Sequence, residues 1–328
     1  MDYSNFVVML ARQRSGTHAV AAFLETHPDI FYINEIFHLD DAENPAAGET
    51  NFFKFVKKEF HTDPLKLVPV DHEKLFLDYL AFLRGFTDKR YLILDVKYNS
   101  AHHVLRNYRS MASPPYLFDL MLKHGMRTFS LKRKNYLRYF VSITKAANTG
   151  RFGLRIFDPP ADDEKVQICI PALLHELRLC RAEDELVDRT FGEYARYMGS
   201  TYEGKFLTAE YADLFSAADA GMSQEFLGRF SGWLGLSNQF RQQCRFKKQS
   251  TMPLRETIKN FDEVVCALRG TGFEHCLVDE PSYSSTPNQN GETHWKPQAT
   301  SEVTSRPAGQ PALSTLAVTL GELGNFSI

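Results

Sequence analysis

Seven consecutive residues near the start of the chain, Arg12-Gln13-Arg14-Ser15-Gly16-Thr17-His18, bring together a glycine, two guanidinium groups, two hydroxyls and an imidazole. Such a set binds anions. Main-chain N–H groups at a helix N-terminus carry partial positive charge, a glycine lets the backbone approach a phosphate, and arginines add full charges. The triphosphate-binding pattern GxxxxGK[ST] further supplies a lysine for the terminal phosphates and a hydroxyl for magnesium. With Gly16 placed on its second glycine, Ala11, Thr17 and His18 stand where the first glycine, the lysine and the hydroxyl belong. The anion cradle is kept and the equipment for a magnesium-bound triphosphate is lost. A donor with a single 5′ phosphate and a departing sulfate needs only the cradle.

A second basic cluster, Lys132-Arg133-Lys134, follows an apolar run ending at Leu131, and Ser142 lies on the helical pattern beyond it. A strand-to-helix junction of this kind places a guanidinium and a hydroxyl about one nucleotide's length from the first loop. Both segments resemble those of sulfotransferases that use 3′-phosphoadenosine 5′-phosphosulfate (PAPS) and release the bisphosphate PAP, with the bacterial Nod-factor and glycan enzymes nearest in pattern. The resemblance implies that Arg14 contacts the bridging oxygen and 5′ phosphate. Ser15, Gly16, Thr17 and His18 would line the rest of that loop, with Arg12 beside them, and Arg133 and Ser142 would hold the 3′ phosphate. A third segment, Arg245 to Val264, resembles the loop that closes over the nucleotide in the same branch, which implies contacts from Lys247, Lys248 and Gln249. Together the resemblances run in order over residues 5 to 280.

Sulfuryl transfer to an alcohol needs a group that takes the hydroxyl proton and positive charge on the bridging oxygen. Glu35, after the second apolar run, is the leading base, and the family's glutamate in a comparable GluXaaPhe segment supports it, although Ile36 stands where some relatives carry proline. His38 is the alternative base or an orienting group. Lys97, at the end of another apolar run, resembles the lysine of the family's GlyPheLys segment and would neutralise sulfate charge. His102 and His103 are placed to line the acceptor pocket, and their spacing recommends no metal. A hydroxyl, or an amine, of a carbohydrate or glycolipid is the acceptor that the resemblance implies. Two other readings fit the loop: a P-loop kinase with a degenerate loop, and a non-catalytic nucleotide-binding scaffold.

Elements must position these residues. Apolar runs at Asn5 to Leu10, Ile30 to Ile33, Tyr91 to Val96 and Arg127 to Leu131 predict strands. Helical spacing covers Ala19 to Leu24, Asn51 to Phe60, Glu73 to Arg84, Tyr136 to Ala147, Ile168 to Gly199 and Ser223 to Leu236. The alternation predicts an α/β fold, a parallel sheet flanked by helices with ligands at the carboxyl ends of the strands. By resemblance this is the P-loop nucleotide-hydrolase-like sulfotransferase fold, and Phe206 to Phe215, containing Tyr211, matches that family's strand and helix.

The chain of 328 residues, 43% hydrophobic, suits one enzyme-sized domain. Its 38 basic and 40 acidic residues nearly balance, which argues against a nucleic-acid binder working through a strong overall field. Five cysteines without CxxC spacing argue against a zinc knuckle or a disulfide framework. No signal-peptide pattern precedes Arg12 and no apolar run reaches the roughly 20 residues of a membrane span, so a cytoplasmic setting is expected. Composition changes near Glu280: residues 1–280 read as the sulfotransferase domain and 281–328 as a low-complexity tail, in which Leu313 to Leu323 is apolar enough for a short docking helix.

Overall fold

The structure, a computed structural model, describes residues 2–39, 48–62, 71–104, 113–149, 165–194, 196, 202, 204–214, 222–237, 239–240 and 252–278. Lys247, Lys248, Gln249 and the tail from 281 onwards lie outside the described residues.

Five strands, β1 (Phe6–Ala11), β2 (Ile30–Ile33), β3 (Tyr91–Lys97), β4 (Arg127–Lys132) and β5 (Phe206–Glu210), form one parallel sheet in the order β2-β3-β1-β4-β5. All six residues of β1 and all seven of β3 are buried, as continuous apolar runs must be when helices cover both faces of a parallel sheet. Side chains alternate between two cores. Phe6, Val8 and Leu10 join Leu92 and Leu94 against the helices α2 (Phe52–Thr62), α3 (His72–Arg84) and α4 (Tyr116–Lys123). Val7, Met9 and Ala11 join Ile93 and Phe129 on the other face, against α1 (Thr17–Leu24) and α7 (Gln224–Leu234).

A third core lies mainly among helices, with Val166 and Ile258 joined by an isolated parallel bridge. Leu137 and Val141 of α5 (Tyr136–Thr149) meet Leu173 and Leu177 of α6 (Ile170–Asp188) and Val264 and Leu268 of α8 (Phe261–Leu268). α6 ends at Asp188, and the chain continues as one π-helical stretch, Arg189–Tyr194, so the described residues from 170 to 194 are helical as expected. Cys169, Cys180, Cys266 and Cys276 are free thiols.

The register brings the ends of the central strands level. Ala11 pairs with Lys97 on one side and Leu131 on the other, and Lys132 pairs with Glu210. Residues immediately after these positions, Arg12 to Thr17, Arg133 and Tyr211, therefore share the carboxyl edge of the sheet. That edge is where an open parallel sheet binds ligands.

Candidate active site

The loop from β1 to α1 turns through two left-handed residues, Arg14 at φ 62° and Gly16 at φ 79°. Gly16 is the N-cap of α1, and its carbonyl accepts the N–H groups of Ala19 and Val20 at 3.0 and 3.1 Å. The first turn of any helix leaves N–H groups without intrahelical acceptors, so this end of α1 is electropositive. Tyr211, just past β5, lies against Gly16: a Cβ there would sit 2.5 Å from Tyr211 Cε2. Glycine is required both by conformation and by the ring. Ser15 is fully buried, and its Oγ has no hydrogen-bond partner among the described residues, an expensive state for a hydroxyl.

Sequence-distant groups converge on this loop. Arg14 Nε donates to Ser142 Oγ at 3.0 Å, and Arg133 Nη1 donates to the Arg14 carbonyl at 3.1 Å. Arg133 also stacks over the Tyr211 ring, 4.9 Å from its centroid. The expected separation of one nucleotide's length is not seen: Arg14 bonds Ser142 directly, and Arg133 bonds the main chain of the loop. Burial first, and then the charge of Arg133, lower the Arg14 pKa. A cleft of about 220 Å³ runs from Arg133 and Tyr211 to His275 and Val278.

Arg12 departs from its expected place in the donor loop. Its guanidinium, 5% exposed, bonds Glu183 Oε2 at 2.9 Å, the Cys180 carbonyl at 2.7 Å and Asp184 Oδ1 at 3.2 Å. The rings of Tyr98, Tyr136 and Tyr139 surround it at 5.1, 5.6 and 5.4 Å. Asp184, itself buried, also accepts from Tyr136 OH at 2.8 Å. Fixed acceptors and aromatic faces on α5 and α6 hold Arg12 as part of the scaffold.

Glu35 follows β2 in a turn where its φ is 22°. Its carboxylate lies 3.5 Å from Lys97 Nζ and 3.9 Å from His38 Nε2. Lys97 is buried and donates to Thr17 Oγ1 at 2.8 Å and to both oxygens of Asp95 at 2.8 and 2.7 Å. Asp95 in turn accepts from Tyr32 OH at 2.7 Å. One ammonium therefore links the start of α1 to the Glu35 turn. Asp95 and Tyr32 escaped the sequence reading; the available signal was an acid inside the buried run of β3, two positions before a lysine on the same face. His18 keeps part of its surface in solvent while its ring is partly desolvated beside this network, and that desolvation first, then Lys97, lowers its imidazole pKa. His102 is exposed, whereas His103 turns towards Phe37 and Phe53, with ring centroids 6.0 and 5.1 Å away.

The sheet and loop define an α/β protein with one open parallel sheet, whose carboxyl edge carries a glycine loop with arginines at a helix N-terminus. No protein-family model and no curated protein matches the sequence. Among solved structures, the chain is similar to the sulfotransferase domain from the Synechococcus PCC 7002 olefin synthase, with 15% identity, a TM-score of 0.38, and coverage of 72% of this chain and 75% of that one. It is also similar to the sulfotransferase domain from the curacin biosynthetic pathway, with 14% identity, a TM-score of 0.38, and coverage of 76% and 81%. These likenesses are too distant to carry chemistry, so the functional reading rests on the site residues. No described helix is long and apolar enough to cross a membrane, and no described group of three or more His, Cys, Asp or Glu could hold a metal ion.

Proposed function

We propose that this chain is a sulfotransferase that uses PAPS and acts on a hydroxyl of a carbohydrate or glycolipid. The observation that carries the reading is the convergence of Arg14, Arg133 and Ser142 on a glycine loop with no P-loop lysine. The residues fit such a donor: two guanidiniums for phosphates, helix N–H groups and the buried Ser15 hydroxyl for anionic oxygens, and Gly16 for close approach. PAPS supplies the activated sulfuryl group, and PAP remains.

The chain's own residues do the rest. Glu35 would accept the acceptor's hydroxyl proton, with His38 orienting the carboxylate or replacing it. Lys97 would set positive charge between donor loop and acceptor turn, and Arg14 would offset charge on the departing phosphate oxygen. The kinase reading has one observation in its favour, since Lys97 brings an ammonium to Thr17 in the loop.

Melting curves separate the two. PAP at about 100 times its Kd, without magnesium, should raise the Tm by roughly 5–10 °C, while ATP with magnesium should not. Stabilisation by magnesium-ATP alone would favour the kinase. Glu35→Gln should keep the PAP-induced rise and slow sulfuryl transfer roughly 10²–10⁴-fold. Unchanged turnover would remove Glu35 as the base, and PAP binding with no transfer by the unaltered protein to any acceptor would leave the scaffold reading.

A further inference from the structure

A cleft of about 230 Å³ opens between α2, α3 and the short 3₁₀ helix Tyr98–His103 that follows β3. Phe52, Phe53, Val56, Leu75, Val104 and His103 line it, with His72 at the start of α3. No Lys, Arg, Asp or Glu is among these described lining residues. Burial first, and then neighbouring His102, lower the His103 pKa, which favours the neutral ring.

The cleft is tied to the Glu35 turn by main chain as well as by packing. Phe52 N donates to the Ile36 carbonyl at 2.8 Å, and Asn51 Nδ2 donates to the His38 carbonyl at 2.9 Å. Phe37, between those two residues, packs against Phe52, Phe53 and His103 with centroid distances of 5.2, 6.4 and 6.0 Å. The 3₁₀ helix begins directly after Lys97, and a rise of about 2 Å per residue puts its far end roughly 12 Å from that lysine. The Glu35 turn thus adjoins a recess whose described lining is apolar apart from two imidazoles. Hydroxyl groups left unpaired against such walls cost free energy, whereas hydrocarbon gains it.

We propose that this cleft holds an apolar arm of the acceptor, alkyl or aryl, while the hydroxyl to be sulfated is presented at Glu35. The inference rests on the sulfotransferase reading and narrows its acceptor: a sugar without an apolar substituent leaves the recess unused, and one bearing an alkyl or aryl arm occupies it.

Titration calorimetry of PAP-saturated protein with methyl, butyl and octyl glucoside, below micelle-forming concentrations, tests this without requiring turnover. The octyl compound should bind at least about 100-fold more tightly than the methyl one, since each buried methylene contributes up to roughly fourfold. Val56→Gln, and independently Leu75→Gln, should cut that ratio to below about tenfold while PAP still raises the Tm. Equal affinities for methyl and octyl glucoside, no binding of either, or a ratio that neither substitution changes would overturn the assignment of the cleft. If PAP itself fails to bind, the sulfotransferase reading falls, and this inference with it.

Discussion

Arg12 and Arg14 stand two positions apart, yet their surroundings assign them different work. Arg12 is enclosed by Glu183, Asp184, the Cys180 carbonyl and three tyrosine rings. Removing one partner of a buried pair strands the other, so Arg12→Ala should cost roughly 3–5 kcal/mol in denaturant unfolding. Lysine at position 12 should recover little of it, lacking the planar fork. Arg14 instead meets Ser142 and the repulsion of Arg133. Arg14→Ala should leave stability within about 1 kcal/mol and lower transfer by roughly 10²–10³-fold, as loss of a transition-state donor does. Equal stability losses for the two substitutions would contradict this division.

The β1–loop–α1 unit is accurate only because β5 delivers Tyr211 to it. Gly16→Ala meets two separate penalties: a left-handed φ of 79°, worth about 1–2 kcal/mol, and a Cβ 2.5 Å from the Tyr211 ring. Adding Tyr211→Ala relieves the second and not the first. Because Tyr211→Ala also removes the stacking on Arg133, the test is a double-mutant cycle in urea: the separate losses should sum to more than that of the double variant, and strict additivity would mean that ring and glycine do not oppose each other. Elements of this unit were legible beforehand. β1 to β4 are apolar runs bounded by polar turns, and each was located to within a residue or so at its ends. β5 was different: its burial is mixed, as befits an edge strand, and only the resemblance pointed to it. Helix α4, at eight residues, is too short to impose a clear period on the sequence and was not anticipated.

Across the whole molecule, one half-buried imidazole contributes to the acid side of the stability curve. Burial, reinforced by His102, holds His103 below the ordinary imidazole pKa. The unfolded chain then takes up the proton first, so this contribution to stability is present above about pH 6.5 and is lost as the pH falls towards the folded-state value. His103→Gln should flatten the fall in Tm between about pH 7 and pH 5, and an unaltered slope would remove His103 as its source. The alternation of apolar runs and helical spacing by itself determined a parallel α/β sheet. Glycine, hydroxyls and arginines in one loop marked the candidate site at that sheet's carboxyl edge. These are properties of neighbouring residues, which local sequence specifies. Only the tertiary structure decided that Arg12 belongs to the scaffold, that Asp95 and Tyr32 hold Lys97, and that an apolar cleft adjoins the Glu35 turn. The contacts of Lys97 with Thr17 and of Arg12 with Asp184 join residues 80 and 172 positions apart. Strand order and register bring such residues together, and no local pattern encodes either.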